Sequence, residues 1–314
     1  METQHSAVRW HLAAILVVIC WGSTYISSKV VLESFSAVQA MFIRLVIAYM
    51  TLLALHPRLR RPVWKDELLF LPIGFLGSSG YFLATYAGLE RTTAGNVSIL
   101  VALAPILTAV IAHFFTKDDK LHSNALLGAA AAFAGVVLIL AGGGGVTMNL
   151  AGSLFALLAA LCWAVYSNLL KRMNGRYSSL EISRKVMFYG VLTAIPFLLR
   201  SGLPELSLLV QRRNILNFLF MGAVSSGVCY FLWNRVMTKI GTVTTNNYMY
   251  VSPFVTAITG WLLLGEPMTI AGLFGSVLIV AGLTLSRREP QAHSGTHHHH
   301  HHHHHHHGGR RKHA

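Results

Sequence analysis

Runs of about twenty apolar residues dominate the chain, and they limit its possible folds more than any other feature. Hydrophobic residues make up 54% of the 314 residues and charged residues only 11%, whereas a soluble protein carries about a quarter charged residues. A helix needs roughly 20 apolar residues to cross the hydrocarbon core of a bilayer. The sequence therefore predicts an all-α integral membrane protein and leaves no room for a soluble catalytic domain.

Glycine, proline and charged residues divide the apolar sequence into ten predicted transmembrane helices. These spans are 12–31, 36–55, 68–88, 93–114, 122–141, 150–171, 181–200, 214–236, 242–264 and 269–286. In the seventh span Glu181 and Lys185 stand four residues apart, so we predict that they form an ion pair. The segment 291–314, with eleven consecutive histidines, is interpreted as a linker and purification tag.

Positive charge is distributed unevenly between the two sets of predicted loops. Fourteen Lys and Arg residues fall on the side of both termini and five on the opposite side. The positive-inside rule then places both termini in the cytoplasm, and we expect a bacterial inner-membrane location. Because the cations lie between apolar runs, the expected partners are the lipid bilayer and a small-molecule substrate, and no nucleic acid. The chain is expected to be a monomer or a homodimer.

The two halves of the chain share features at nearly constant offsets. Cys20-Trp21 recurs as Cys162-Trp163 (offset 142), Pro105 as Pro253 (offset 148), and Gly128 and Gly135 as Gly275 and Gly282 (offset 147). These offsets predict a duplication, with repeats at 1–145 and 146–290. Because each repeat holds five spans, an odd number, the second enters the membrane from the opposite side. Such inverted repeats are typical of secondary transporters, which bind substrate between the repeats near the bilayer midplane. The paired glycines also predict close helix packing.

Two stripes of aromatic and polar residues lie near the middle of spans one and six. Trp21 is followed at helical spacing by Tyr25, and Trp163 by Tyr166. We expect these stripes to line a central cavity, although hydrogen-bonded helix packing would explain the same pattern. The full set of candidate substrate-binding residues is Trp21, Tyr25, Tyr81, Asn96, Trp163, Tyr166, Asn246, Asn247 and Tyr250.

Proline and charge add two further expectations about the spans. Pro105 and Pro253 are expected to interrupt spans four and nine, either beside the substrate site or as plain kinks. Arg44 is the one charge deep within a span, so it is a candidate site for a substrate carboxylate. The alternative is a structural role in which Arg44 bonds helix-end carbonyls. None of the eleven acidic residues falls in the middle third of a span, which disfavours a cationic substrate.

Together these features resemble the ten-helix EamA-type family of the drug/metabolite transporter superfamily. The resemblance covers residues 10–288. The residues and motifs on which it rests are Cys20-Trp21-Gly22-Ser23, Arg44, Pro105, Ser252-Pro253, Leu264-Gly265-Glu266-Pro267, Gly275 and Gly282. In the first repeat Lys117-Asp118-Asp119 replaces the Gly-Glu-Pro form, so a role for that glutamate does not apply twice. The chain is similar to amino acid exporters of the YddG type.

The resemblance implies a secondary transporter that exports small metabolites, amino acids in particular. It would work by alternating access through a cavity lined by spans one, three, four, six, eight and nine. Alternatives are a carrier of nucleosides or sugars, a multidrug exporter, or a passive channel. An enzyme is not expected, because the sequence lacks both His-Glu-x-x-His and paired intramembrane aspartates. No cofactor and no metal site is expected.

Overall fold

The computed structural model describes residues 2–115, 123–142 and 149–264, and beyond them only scattered positions between 270 and 285. Within these residues the chain is almost entirely helical and forms no β-strand. The helices are α1 (Glu2–Leu32), α2 (Ala37–Leu55), α3 (Trp64–Leu89), α4 (Ala94–Phe115), α5 (Ser123–Gly142), α6 (Leu150–Met173), α7 (Ser179–Ser201), α8 (Arg212–Ile240) and α9, which runs through Thr242–Asn246, Asn247–Val251 and Ser252–Leu264. A short helical turn, Leu206–Leu209, precedes α8.

The predicted all-α membrane fold is confirmed. Seven helices, α1 to α4 and α6 to α8, are long and apolar enough to cross a membrane. Helices α5 and α9 match the predicted fifth and ninth spans. Four predicted features lie wholly or mostly outside the described residues: the tenth span 269–286, the loop motif 117–119, the Gly-Glu-Pro motif 265–267 and the tail 291–314.

Helices α2 and α7 begin with the same capping arrangement. The Ser36 hydroxyl accepts a hydrogen bond from the Gln39 backbone, and the Gln39 side chain accepts one from the Ser36 backbone. Ser178 and Glu181 repeat this capping box at the start of α7, and each box satisfies backbone N–H groups that the helix leaves unpaired. The predicted pairing of Glu181 with Lys185 is therefore wrong. Glu181 serves the helix start, while Lys185 faces a different helix.

Proline interrupts α4 and α9, as predicted. The first part of α4 ends at Val101 and its second part begins at Ala104, one residue before Pro105. In α9 a 3-10 turn, Asn247–Val251, directly precedes Ser252 and Pro253. Proline lacks a backbone N–H and its ring crowds the preceding turn, so a regular α-helix cannot run through these positions.

Two π-helical segments occur that the sequence did not predict. They are Phe75–Ser79 in the middle of α3 and Phe220–Val228 in α8. Such segments are rare and concentrate at functional sites. The segment in α8 contains Ser225-Ser226-Gly227, and the segment in α3 ends within Ser78-Ser79-Gly80. These two Ser-Ser-Gly sequences are 147 residues apart.

Helices from the first half of the chain pack against helices from the second half. Helix α1 packs against α8 and α9, whereas α6 packs against α3 and α4. Helix α2 packs against α7 and α8, and α7 packs against α2 and α3. The buried core therefore lies between the halves, and it includes Met41, Tyr86, Trp163 and Trp233.

The paired glycines produce the close helix approach that their spacing predicts. A Cβ atom added to Gly282 would lie 2.4 Å from the carbonyl oxygen of Gly128 and 2.6 Å from the backbone nitrogen of Ala132. Only a residue without a side chain fits between two backbones at this distance.

Hydrogen bonds join neighbouring loops at each of the two ends of the helices. At one end Arg184 of α7 donates to the carbonyl of Arg58, which follows α2, over 2.8 Å. At the other end Lys29 of α1 donates to the carbonyls of Leu89 and Thr92, over 2.6 and 2.7 Å. The loops after α2 and α6 therefore share one end with each other, and those after α1 and α3 share the opposite end.

Candidate functional site

A cavity lies among α1, α2, α3, α6, α8 and α9, at the centre of the described helices. Five of the predicted site residues line it: Trp21, Tyr25, Arg44, Tyr81 and Trp163. Thr24 and Ser28 of α1 also line the cavity. The expected lining by span four differs from the structure, because α4 lies behind α6 and contributes no lining residue, while α2 contributes Arg44.

Aromatic rings form most of the cavity wall. The indoles of Trp21 and Trp163 meet edge to face, with ring centroids 5.3 Å apart. The ring of Tyr81 lies 5.2 Å from Trp163, and Tyr230 lies 5.5 Å from Trp21. Edge-to-face contacts at these distances are favourable, because the positive edge of one ring meets the negative face of the next.

The aromatic wall leaves little open space. The free volume available to the centre of a water molecule is about 30 Å³, and roughly 10–15 Å³ is needed for one water. The cavity therefore holds about two waters as it stands. Because Trp163 is only 1% exposed, a larger molecule can enter only if the rings move apart.

Both indole N–H groups are held by irregular helical segments. Trp163 Nε1 donates to Asn246 Oδ1 over 2.8 Å, at the break in α9. Trp21 Nε1 donates to the carbonyl of Ser225 over 3.0 Å, within the π-helix of α8. Asn246 does not line the cavity itself; it positions one of the two indoles that do.

Besides Asn246, four predicted site residues lie outside the cavity wall. The Tyr166 hydroxyl donates to Asn234 Oδ1 over 3.0 Å, and its ring lies 5.2 Å from Trp163. Asn96 donates to Thr92 and to Ser153 of α6 over 3.0 and 3.2 Å, so it joins α4 to α6.

The other two of the four lie on the broken part of α9. Tyr250 is 1% exposed and packs against Ile99 and Ala102. Its hydroxyl has no hydrogen-bond partner within the described part of the chain. Asn247 is half-buried on the 3-10 turn.

Arg44 is buried, at 3% exposure, and is bonded through neutral hydroxyl groups. Its Nε donates to Ser226 Oγ over 2.7 Å, its Nη1 to Tyr86 over 3.0 Å and its Nη2 to Ser225 Oγ over 3.0 Å. The guanidinium lies 4.0 Å above the ring of Phe82, a cation–π distance. The alternative expectation, that Arg44 bonds helix-end carbonyls, does not match these partners.

Sequence reasoning missed Tyr230 on α8, and it missed Phe82, Thr85 and Tyr86 on α3, which line the cavity beside the predicted Tyr81. Tyr230 lines the cavity and donates its hydroxyl to the carbonyl of Gly77 over 2.5 Å. Trp233, three residues later, packs against Trp21 with ring centroids 4.8 Å apart. The three-residue spacing of Tyr230 and Trp233 matches that of Trp163 and Tyr166, so this signal was present in the sequence.

A second polar cluster lies at the end of α3 that faces the loop after α6. Asp66 accepts hydrogen bonds from Arg176 and Tyr177, over 2.9 and 2.7 Å. Beside it Glu67 pairs with Lys185 and accepts a hydrogen bond from Tyr189 over 2.5 Å. Burial of the phenol, together with its hydrogen bond to Asp66, raises the pKa of Tyr177 to about 12. This cluster joins α3 to α7.

Metal chemistry finds no support in the described part of the chain. Among residues 2–115, 123–142 and 149–264 there is no group of three His, Cys, Asp or Glu side chains that could hold a metal ion. The cavity wall offers aromatic faces, hydroxyl groups and one guanidinium, which suit binding and orientation of a small molecule.

Known proteins resemble the chain in both sequence and fold. The "EamA-like transporter family" model matches residues 8–141 and again residues 150–288. A solved crystal structure aligns with a TM-score of 0.69 at 17% identity, covering 88% of this chain and 98% of that one; this likeness shows a shared fold.

Relatives from several organisms are named as transporters. "Uncharacterized transporter YdfC" of Bacillus subtilis is 28% identical over 85% of this chain and 87% of its own length. The "Probable terminal-alkyne amino-acid exporter" of Streptantibioticus cattleyicolor is 25% identical over 88% and 92%. The "Probable amino-acid metabolite efflux pump" of Salmonella typhimurium is 25% identical over 87% and 93%. With the family model matching most of its length, the chain belongs to the EamA-like transporter family and is a multi-pass membrane transporter.

Proposed function

We propose that this protein is a secondary transporter that exports amino acids or similar small metabolites by alternating access. The observation that carries the proposal is the aromatic cavity between the halves of the chain, where Trp21 and Trp163 meet at 5.3 Å. Each tryptophan follows a cysteine at the same place in its half of the sequence. A site built from equivalent positions of two repeats is the arrangement found in many secondary transporters.

Several structural correspondences support two inverted repeats, with proposed limits 1–145 and 146–290. The capping boxes of α2 and α7, at Ser36 and Ser178, are 142 residues apart. Proline breaks α4 and α9, and π-helices occur in α3 and α8, which would be the third helix of each repeat. The family model also matches the chain twice. Five helices in each repeat would reverse the orientation of the second one in the membrane.

The narrow cavity suggests how substrate binding would be linked to movement. An amino acid is far larger than the two waters that the present volume admits. The rings of Trp21 and Trp163 must therefore separate before a substrate can lie between them. Since Trp163 is bonded to α9 and Trp21 to α8, separating the rings would move these helices with α1 and α6. Binding and rearrangement of the helices would then occur together.

The substrate assignment is supported by the lining and by the names of relatives. Aromatic rings bind apolar side chains over a large area, whereas few polar groups are needed to fix orientation. Two of the relatives are named for amino-acid export or amino-acid metabolite efflux. In this proposal Trp21, Tyr25, Tyr81 and Trp163 contact the substrate, while Asn246 and Tyr166 hold Trp163 in place.

We also propose a bacterial inner-membrane location with both termini in the cytoplasm. The support is the excess of Lys and Arg in the loops on the side of the termini. The cavity lies within one chain, so a monomer would suffice for transport. A phosphatase fusion, active only outside the cytoplasm, should be inactive after Arg288 and active when inserted after Arg91.

Counterflow in proteoliposomes tests the proposed function. Vesicles are loaded with one unlabelled amino acid at high concentration, and uptake of the labelled form is followed for each of the twenty. We expect transient accumulation of label for a subset of amino acids, because a carrier exchanges bound substrate across the membrane whereas a channel does not. Equilibration without an overshoot would indicate a channel. No uptake in vesicles that hold folded protein would contradict amino acid transport and direct the search to nucleosides, sugars and organic anions.

Matched tryptophan variants locate the transport site, and a cell assay tests direction. Trp21→Ala should lose counterflow, whereas Trp64→Ala, at a position 77% exposed and at the end of α3, should retain it. Cells that overproduce the protein should tolerate a toxic analogue of a transported amino acid at a higher concentration. Increased sensitivity to the analogue would indicate uptake.

A further inference from the structure

Arg44 places a charge on the cavity wall. Of the described side chains that line the cavity, it alone carries a formal charge. Within the described part of the chain no carboxylate lies within ion-pair distance of it. A buried cation inside a membrane is costly unless a counter-ion or a strong set of acceptors compensates it. This site therefore has an excess positive charge beside the aromatic rings.

The guanidinium has more N–H groups than its described hydroxyl partners use. It has five N–H groups, and three of them donate to Ser226, Tyr86 and Ser225. One N–H on Nη1 and one on Nη2 remain. Parallel N–H groups on the two terminal nitrogens can bind both oxygens of a carboxylate at once. The ring of Phe82, 4.0 Å from the guanidinium carbon, fixes the plane in which the guanidinium lies.

A second buried arginine shows what a purely structural arginine does in this fold. Arg184 of α7 is 4% exposed, and its Nη1 donates to the backbone carbonyls of His56 and Arg58. It holds a loop at the end of the helices and does not line the cavity. Arg44 differs on both counts, because it borders the cavity and its partners are hydroxyl groups. Hydroxyls hold a guanidinium in position without neutralising its charge.

The corresponding position in the other half of the chain has no charge. Ser225 of α8 accepts a hydrogen bond from Arg44 of α2. The equivalent serine, Ser78 of α3, lies against Gly190 of α7, where an added Cβ would be 2.0 Å from its Oγ. At the 142-residue offset that relates the capping boxes of α2 and α7, the counterpart of Arg44 is the uncharged Val186, whose carbonyl accepts a hydrogen bond from Ser78 Oγ over 3.3 Å. The two walls of the cavity share the aromatic rings but not the cation, so an anionic group has one favourable position and the substrate one favourable orientation.

We infer that Arg44 binds the carboxylate of the transported substrate, and that the substrate class is small carboxylates with an apolar or aromatic side chain, amino acids among them. This inference rests on the proposed function. Tyr86, Ser225 and Ser226 act as positioning residues that hold the guanidinium. The side chain of the substrate lies between Trp21 and Trp163. An ammonium group, where present, faces aromatic rings, which attract cations.

Ligands that differ only in charge test the inference by binding, independently of transport. The full-length protein in detergent is heated with L-phenylalanine, 3-phenylpropionate, L-phenylalaninamide or phenethylamine. For each ligand we measure the concentration that produces a fixed increase in the unfolding temperature. The first two carry a carboxylate and the last two do not. We expect the two carboxylates to stabilise the protein at concentrations about ten- to a hundredfold lower than the amide and the amine, because only a carboxylate makes the charge-assisted hydrogen bond to Arg44.

Variants then assign the preference to Arg44. Arg44→Gln should remove it, so that acid and amide act at similar concentrations, and Arg44→Lys should retain part of it. Arg184→Gln, the matched buried arginine, should lower thermal stability and leave the preference for carboxylates unchanged. Equal action of acid and amide on the wild-type protein would overturn the inference, and so would no stabilisation by either carboxylate. An unchanged preference in Arg44→Gln would overturn it as well. If Arg44→Gln does not fold, the wild-type comparison and Arg44→Lys decide.

The same measurements separate this inference from the proposed function. Carboxylate-selective binding that depends on Arg44, together with no counterflow of any amino acid, would contradict amino acid transport and leave the carboxylate site standing. Counterflow of amino acids with equal competition by their amides would support the transporter and overturn the role of Arg44.

Discussion

Trp163 of α6 donates its indole N–H to Asn246 of α9 over 2.8 Å, so a buried hydrogen bond joins a cavity ring to the break in a helix. The equivalent ring, Trp21, donates to the carbonyl of Ser225 in the π-helix of α8 over 3.0 Å. Irregular helical segments have groups that a regular helix would use internally. Each of the two tryptophans is thus hydrogen-bonded to a helix with an irregular segment, Trp163 to α9 and Trp21 to α8.

Replacing Trp163 should affect transport and stability to different degrees, depending on the substituent. Trp163→Phe keeps a ring in the cavity but removes the donor to Asn246, so we expect a loss of about 1–2 kcal/mol in unfolding free energy. Trp163→Ala removes a fully buried ring, which costs about 3–5 kcal/mol. Saturable counterflow should be abolished in Trp163→Ala and reduced in Trp163→Phe. Thermal unfolding and counterflow on the same preparations measure both effects.

The substrate-site assignment would be contradicted by unchanged transport kinetics in folded Trp163→Ala. Asn246→Leu provides the matched control, because it removes the acceptor and leaves the indole in the cavity. If the hydrogen bond positions the ring, Asn246→Leu should resemble Trp163→Phe. If the ring alone matters, Asn246→Leu should transport as the wild type does.

Two buried tyrosines allow a comparison of how much a hydrogen-bonded hydroxyl and an unpartnered one contribute to the free energy of unfolding. Tyr166 donates to Asn234 over 3.0 Å, whereas the hydroxyl of Tyr250 has no partner in the described part of the chain. Tyr166→Phe leaves the Asn234 oxygen without this donor, and we expect it to lower the unfolding free energy by about 1–3 kcal/mol. Tyr250→Phe removes an unsatisfied polar group and should leave stability unchanged or raise it. Unfolding midpoints in one detergent give the comparison.

The Tyr250 variant also tests a candidate substrate contact. If the hydroxyl of Tyr250 contacts the substrate in another conformation, Tyr250→Phe would lose transport without losing stability. Wild-type transport in a stabilised Tyr250→Phe protein would assign this residue to packing alone. Equal destabilisation by the two variants would contradict the hydrogen-bond argument.

Sequence reasoning succeeded where composition, periodicity and local backbone chemistry decide the structure. The apolar runs predict helices, proline at 105 and 253 predicts the breaks, and the paired glycines predict close helix packing, which is present between Gly282 and Gly128. Each of these follows from what a residue does to its own backbone or from how many apolar residues follow one another. None requires knowledge of which helices are neighbours.

The remainder depended on tertiary contacts that spacing does not contain. Tyr25 stands four residues after Trp21 and Tyr166 three after Trp163; only Tyr25 lines the cavity, whereas the Tyr166 hydroxyl is bonded to Asn234 of α8. Lys185 has Glu181 four residues away, yet it pairs with Glu67. The start of α7 uses Glu181 for its own unpaired N–H groups, and local spacing does not reveal such competition.

The pair of Glu67 and Lys185 should contribute more to stability than the neighbouring pair of Asp66 and Arg176. The side chains of Glu67 and Lys185 are 9% and 15% exposed, whereas that of Arg176 is 52% exposed and partly solvated. Glu67→Gln leaves a buried ammonium unpaired, so we expect a loss of about 3 kcal/mol. Asp66→Asn should cost less, since water can replace the lost partner of Arg176.

A double variant distinguishes pairing from simple loss of charge. In Glu67→Met with Lys185→Met, apolar side chains replace both partners, and unfolding temperature should recover by more than half of the loss seen in Glu67→Gln. No recovery would contradict a paired interaction and would point to the hydrogen bond from Tyr189 to Glu67. Transport assays on the double variant would show whether opening of this end of the helices depends on the pair.

The contact between Gly282 and Gly128 should make Gly282 intolerant of any side chain. A Cβ at Gly282 would lie 2.4 Å from the Gly128 carbonyl oxygen and 2.6 Å from the Ala132 nitrogen, so both backbones would have to move apart. Gly282→Ala should therefore lower the unfolding temperature despite the higher helix propensity of alanine. Gly95→Ala is the matched control, because Gly95 is also helical and its added Cβ would meet only the Thr93 hydroxyl at 3.9 Å. We expect that control to be neutral or to stabilise the protein by up to about 1 kcal/mol. If both variants behave alike, the close approach of Gly282 to α5 does not contribute to the stability of the folded chain.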